Sequence, residues 1–154
     1  AHGPLPHDLR RTGGDETVAR ALAWLVDRDR AALEPSLVSG EKVAAFNLTI
    51  LSKLLGTALE PDLTDHVLML EEVAEYAYRI DRSFFHVTGN PSVRRVKGIR
   101  LGRCVVEPNP TADFGMTPEE IARHWCERSG IPFLGAADIG HDVDNKVVPF
   151  GVVT

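Results

Sequence analysis

The sequence is poor in the features that mark secreted, membrane-spanning or nucleic-acid-binding chains. Its two cysteines, Cys104 and Cys126, have no metal-ligand spacing and form no disulfide framework, which points to reduced thiols in a cytoplasmic protein. No apolar run approaches the ~20 residues that span a bilayer, so no membrane partner is expected. No signal-peptide pattern opens the chain. Basic charge is scarce as well. The net charge is −5, and the short cluster Arg94-Arg95-Val96-Lys97 reads as a solvated turn, so no nucleic-acid surface is expected. There is no internal repeat and no low-complexity segment. The first residue is not Met, and Ala1 reads as a cut point.

What remains is an ordinary globular composition. The 154 residues, 44% hydrophobic and 25% charged, suit one domain with a sizeable core. Residues 1–14 hold His2-Gly3-Pro4-Leu5-Pro6 and Gly13-Gly14, which favours an extended lead-in from another domain. From residue 15 to 154 helical and strand patterns alternate, which predicts an α/β domain. Asp15 is placed to cap a first helix with Val18, Ala21, Leu22, Leu25 and Val26 on its apolar face. Residues 42–46 read as a strand, and Asn47 as the cap of a helix over 48–55 that ends at Gly56. Residues 66–73 form a strand apolar enough to be buried on both faces. A helix over about 78–87, a strand over 96–101, a strand over 131–134 and a last strand over 146–153 complete the pattern. The sharpest local signal is Thr117-Pro118-Glu119-Glu120, an N-cap, a proline at the first helical position and a capping-box glutamate. That helix should run to about Arg128, with Ile121, Trp125 and His124 turned inward.

Two stretches could carry chemistry. The strand at residues 66–73 ends among three acids, Glu71, Glu72 and Glu75. A carboxylate at the end of a buried strand can orient a catalytic group; it can equally be a charged strand end. Gly140-His141-Asp142-Val143-Asp144-Asn145 places a histidine, the usual general base near neutral pH, in a glycine-flanked loop between two strands. The same loop also suits a turn with an inert, exposed His141. His141, Asp142 and Asp144 lie close together, but nothing else completes a regular metal-ligand set. His2, His7, His66 and His86 read as structural or surface residues. If Glu71 met His141 in space, the pair would be the orienter and base of a hydrolytic triad. No nucleophile accompanies them. Ser36, Ser39, Ser52, Ser83, Ser92 and Ser129 all lie outside any G-x-S-x-G elbow, and neither cysteine has a basic helper beside it.

A family resemblance accounts for that gap. The chain resembles the C-terminal domain of the LD-carboxypeptidases, or muramoyltetrapeptide carboxypeptidases, a family that includes the microcin C immunity peptidases. The likeness runs through His2-Gly3-Pro4, Asn47-Leu48-Thr49-Ile50-Leu51, Leu55-Gly56-Thr57 and Pro61-Asp62-Leu63. It continues in Leu70-Glu71-Glu72-Val73, Tyr78-Arg79-Ile80-Asp81-Arg82, Gly98-Ile99-Arg100-Leu101-Gly102, Gly130-Ile131-Pro132, Ile139-Gly140-His141 and residues 145–151. The order and spacing of these pieces make it specific. It implies a single swivelling β/β/α-type domain. It also implies a Ser–His–Glu triad in which this chain supplies Glu71 and His141, while the serine precedes Ala1 in an N-terminal domain. The implied reaction is hydrolysis of the terminal D-alanine amide of murein tetrapeptides in peptidoglycan recycling, without metal or other cofactor, by a homodimer. The chain alone would be inactive.

Three departures bear on the substrate. Of the usual Gly-Gly-Asn only Asn47, assigned to substrate binding, is kept, and it follows Ala45-Phe46. Ala74 stands where a glycine is frequent. Asp142 follows the histidine where a small residue is common, and could raise the histidine's pKa or meet a cationic substrate group. Two alternatives stay open: an immunity-type peptidase acting on aminoacyl-nucleotide amides, and a non-catalytic binding or dimerisation module.

Overall fold

The fold is built around the apolar strand that the sequence marks most clearly. In a computed structural model, which describes residues 1–4 and 6–154, this strand, β2, spans His66–Glu75 and is buried from His66 through Glu72. The side chain of His7 lies outside the described residues, and so does the surface reading of it. Strand β1 (Lys42–Asn47) lies on one side of β2 and β3 (Gly98–Val106) on the other, both parallel to it. Strand β4 (Phe133–Ala136) continues the sheet beyond β3, and β5 (Gly151–Val152) closes the far edge antiparallel to β1. The order is β4-β3-β2-β1-β5. Parallel neighbours need crossovers. Three helices supply them: α2 (Leu48–Leu54), α3 (Ala77–Gly89) and α4 (Pro118–Ser129).

These helices share one face of the sheet. Leu48 and Leu51 of α2, Ile80, Phe84 and Val87 of α3, and Ile121 and Cys126 of α4 pack with Leu68, Leu70 and Ile99 of the strands. Asp81 fastens α3 to α4 by accepting the indole N–H of Trp125 at 2.7 Å. The opposite face is covered by extended chain and short turns. Trp24, Ala32 and Leu33 from the N-terminal segment, and Ile139, Val147, Val148 and Val153 from the C-terminal one, bury Val43, Val67 and Met69. Bridges His2–Val148 and Leu33–Val147 knit that second layer together. This is the α/β class that the alternating pattern predicts.

Local signals account for the helix ends. Asn47 accepts the backbone N–H of Ile50 at 3.0 Å and so caps α2. The capping box at Thr117 and Glu120 is formed, Pro118 opens α4, and Gly130 ends it in the left-handed region at φ 69°.

Elsewhere the structure differs from expectation. Residues 1–14 are not wholly extended, because Pro6–Arg10 forms a 3-10 turn. The first helix, α1, runs over Gly14–Leu22, starts after Gly13 rather than Asp15, and passes into a π turn at Ala23–Asp27. Its buried residues are Gly14 and Thr17, with Trp24 beyond, while Leu22, Leu25 and Val26 are exposed. Periodicity identifies an apolar face but not whether anything covers it. His124 is exposed, packed edge-on against Trp125, and not turned inward. The last strand shrinks to Gly151–Val152, because residues 138–149 are used as loop and isolated bridges.

Candidate functional site

β2 delivers Glu71 to the point where the sheet becomes irregular. Glu71 pairs in register with Asn47 of β1, and the β2–β3 register slips between Leu70 and Glu72. A slip of this kind re-aims a side chain. Here the Glu71 carboxyl ends fully buried, below the loop that carries His141. Gly102 of β3 allows the close approach. A Cβ there would lie 2.6 Å from Ile139 Cγ1, 2.7 Å from the Ile139 carbonyl and 3.0 Å from Glu71 Cβ. The next residue of β3, Arg103, donates its N–H to the Ile139 carbonyl at 2.8 Å, which fixes the start of the loop.

His141 and Glu71, 70 residues apart in sequence, meet through Nδ1 and Oε2 at 2.7 Å. An ionised carboxylate only accepts, so Nδ1 carries the proton. Nε2 is then the nitrogen left to receive a proton from elsewhere. Burial pushes the Glu71 carboxyl up, but the imidazoles of His2 and His141 outweigh it and hold the group below the ordinary carboxylate range. Glu71 is therefore an anion at neutral pH. The second imidazole, His2, stands with Nε2 3.5 Å from Oε1. Beside the pair lies a cavity of about 190 Å³ lined among others by His2, Asp8, Asn47, His141 and Asn145.

The loop is held from outside by side chains that local pattern does not flag. Arg11 donates to the His141 carbonyl at 2.6 Å. Arg20 donates to the carbonyls of Val143 at 3.1 Å and Asn145 at 2.9 Å, and the Thr17 hydroxyl also donates to the Val143 carbonyl. Asn145, itself buried, accepts the N–H of Gly140 at 3.1 Å. Buried Glu34 accepts the N–H of Asp138 at 3.0 Å. Arg103 grips Asp142 through both carboxylate oxygens and also binds Asp138. Thus Asp142 faces Arg103. Burial pushes its carboxyl up, but the Arg103 guanidinium holds it below the usual carboxylate range. Its charge is met by Arg103 of β3, where the sequence left open an effect on the histidine or a contact with a cationic substrate group. Arg11, Thr17, Arg20 and Arg103 carry no local sequence signal, because each works through a backbone or side chain more than 35 positions away.

The remaining candidates separate clearly. Glu72 is buried; it accepts Asn47 Nδ2–H at 2.6 Å and the N–H groups of Thr49 at 2.9 Å and Val73 at 3.0 Å. It anchors the start of α2 and the Asn47 amide. Asn47 lines the cavity, with its oxygen capping α2 and one of its two N–H groups on Glu72. Glu75 pairs with Arg79 at 3.6 Å. His66 is buried with Nδ1 3.0 Å from the Thr64 carbonyl, and His86 is exposed. Burial, with Glu71 and Glu72 nearby, pushes the Cys104 thiol up to about 12, and burial pushes Cys126 up to about 11. Neither offers a thiolate. Among the described residues no serine lines the cavity, and no group of three His, Cys, Asp or Glu side chains is placed to hold a metal ion.

Residues 41–154 match the C-terminal domain of the LD-carboxypeptidases. The chain belongs to this family. A Synechocystis protein named "Putative carboxypeptidase" is 33% identical over 110 residues, 71% of this chain and 36% of that protein. A Bacillus subtilis protein named "Probable murein peptide carboxypeptidase" is 28% identical over 122 residues, 77% of this chain and 37% of that protein. The crystal structure of a muramoyltetrapeptide carboxypeptidase from Oxalobacter formigenes shares the fold, with a TM-score of 0.65 and 24% identity over 77% of this chain and 40% of that one. This LD-carboxypeptidase domain therefore spans little more than a third of the curated relatives it matches. No helix among its described residues is long and apolar enough to cross a membrane.

Proposed function

We propose that this domain supplies the base and the orienting acid of a serine LD-carboxypeptidase. One observation carries the reading: a fully buried, anionic Glu71 holds His141 Nδ1–H at 2.7 Å beside a cavity. That arrangement fixes the imidazole tautomer and leaves Nε2 free to take a proton. The nucleophile is a serine in an N-terminal domain, and residues 1–14 lead in from it.

In this reading His141 Nε2 takes the serine hydroxyl proton as the oxygen attacks the carbonyl before the terminal D-alanine of a murein tetrapeptide. Glu71 stabilises the imidazolium that forms. His141 then gives the proton to the departing amine, and D-alanine leaves. Water, deprotonated by the same nitrogen, cleaves the acyl-enzyme and returns the serine. No step calls on a metal. The Asn47 N–H not used by Glu72 is available to a substrate oxygen. The setting is cytoplasmic peptidoglycan recycling, and the working form is a homodimer.

The test is D-alanine release from a murein tetrapeptide by the full-length protein, with His141→Ala and Glu71→Gln beside the wild type. Loss of about 10³-fold or more in kcat for His141→Ala is expected, by analogy with other triads. Unchanged release in His141→Ala would overturn the assignment. Turnover of an aminoacyl-sulfamoyl nucleotide with none of the muropeptide would keep the triad and move the substrate to the immunity type.

A further inference from the structure

Glu71 has two carboxylate oxygens, and His141 uses only one. Oε1 is buried with no hydrogen-bond partner. An ionised oxygen left bare in the interior is among the more destabilising situations a fold can contain. The group that faces it is the imidazole of His2, with Nε2 3.5 Å away and the side chain 13% exposed. That separation exceeds a formed N–H···O bond, which lies at about 2.7–3.2 Å. Catalytic hydrogen bonds are often long in a free site and shorten when substrate is bound.

His2 is not there by drift of a loose end. Its backbone is bonded in both directions to Val148, N–H to carbonyl at 2.8 Å and carbonyl from N–H at 2.9 Å. Val148 is wholly buried in the layer that covers the sheet. Gly3 follows, packed 3.6 Å from Val147 where a Cβ would stand. The segment that leads into the domain is thus stitched to its core at the position that presents the His2 side chain to Glu71.

We propose that His2 is a positioning residue: its Nε2–H holds Oε1 of Glu71 while His141 holds Oε2, clamping the carboxylate between two imidazoles. The proposal rests on the triad reading above and deepens it. A carboxylate bonded at one oxygen can swing about its side-chain torsions. Bonded at both, it keeps the orientation that aims His141 Nε2 at the nucleophile. The clamp also favours the anion, on which the orienting role depends. His2 does not touch the reacting atoms; it acts through Glu71. Because it lies in the segment leading in from the preceding domain, it also ties the docking of that segment to the alignment of the triad.

The test uses the full-length protein with His2→Leu, His2→Gln and His141→Ala. Gln can place an amide N–H near the position of Nε2; Leu cannot. His2→Leu should lower kcat on a murein tetrapeptide about ten- to a hundredfold, the range for one hydrogen bond to a charged group, with KM within about twofold. His2→Gln should recover most of the loss. A second readout is the Glu71 carboxyl followed by carbon-13 NMR on selectively labelled protein. The titratable groups around it are His2, His141, Glu72 and Cys104, with Asp8 and Asp142 on the same cavity and Arg103 paired to Asp142. Its titration should move to higher pH in His2→Leu and return in His2→Gln. Wild-type kcat and an unmoved carboxyl in His2→Leu, with His141→Ala inactive, would overturn the proposal and leave the triad intact. Full activity in His141→Ala would instead sink the triad reading itself. If His2→Leu does not fold, the wild-type protein still decides: nitrogen-15 NMR should show the His2 proton on Nε2, and a proton on Nδ1 alone would refute the clamp.

Discussion

Gly102→Ala offers a sharp test of how the two halves of the site are brought together. One methyl is added at a buried position of β3, wedged between the strand carrying Glu71 and the segment leading to His141. Two of the atoms it would meet cannot yield cheaply. The Ile139 carbonyl at 2.7 Å is backbone, and it already accepts Arg103 N–H at 2.8 Å; Glu71 Cβ at 3.0 Å belongs to the central strand. Overpacking of this kind destabilises by about 1–3 kcal/mol. For a chain of this size each kcal/mol lowers Tm by ~2–4 °C. Gly102 does not occupy a left-handed φ, so the effect is steric and not a loss of backbone freedom. Gly89→Ala is the matched control, since a Cβ there meets nothing within 4 Å at the end of α3. Urea unfolding should show a lower midpoint with an unchanged slope for Gly102→Ala, and no loss for Gly89→Ala. Cleavage by the full-length protein should fall further than stability does, because the clash separates Glu71 from His141. A Gly102→Ala variant as stable and as active as the wild type would refute the claimed close approach.

Three further outcomes follow from particular residues. Ala74 sits at φ 55°, in the left-handed region that a side chain resists, so Ala74→Gly should stabilise by about 0.5–1 kcal/mol once the added freedom of the unfolded chain is counted; a loss on urea unfolding would contradict this. Glu71 titrates lower when folded than the ~4.3 of an unfolded glutamate, so its ionised form supports the fold above that value and the support fades as pH falls through the folded value; between about pH 5 and pH 3 the urea midpoint should fall less in Glu71→Gln than in the wild type. With Cys104 pushed up to about 12 and Cys126 to about 11, neither thiol should react with an alkylating reagent at about pH 8 until the protein unfolds, and rapid labelling of the native state would be the contrary result.

These residues also show where sequence reading succeeds and where it stops. Asn47, Thr117 and Gly130 were legible because a cap acts on groups three or four positions away, within the reach of local pattern. The strand holding Glu71 was legible because burial on both faces leaves an unbroken apolar run. The meeting of Glu71 with His141 is not a local property, and the residues alone left it conditional; family resemblance joined them. His2 shows the limit most plainly. It belongs to a motif, yet by sequence alone it reads as structural or surface, because nothing nearby in sequence reveals that its backbone pairs with Val148 and its ring faces Glu71. Arg103 and Asp142 repeat the lesson, since a charge beside a histidine acquires meaning only from what neutralises it. Leu22, Leu25 and Val26 mark the converse case, in which a correctly read apolar face is exposed. The left-handed Ala74 explains in physical terms why a glycine is frequent at that point of the motif.

The central claim is that Glu71 and His141 act as one unit on a nucleophile supplied from outside this domain. A double-mutant cycle on the full-length protein tests it most directly, with kcat measured for His141→Ala, Glu71→Gln and the two together on a murein tetrapeptide. The double variant should be no slower than His141→Ala alone, because a carboxylate with no imidazole to orient has nothing left to lose. Losses that multiply would mean that the two side chains act independently, and would contradict it.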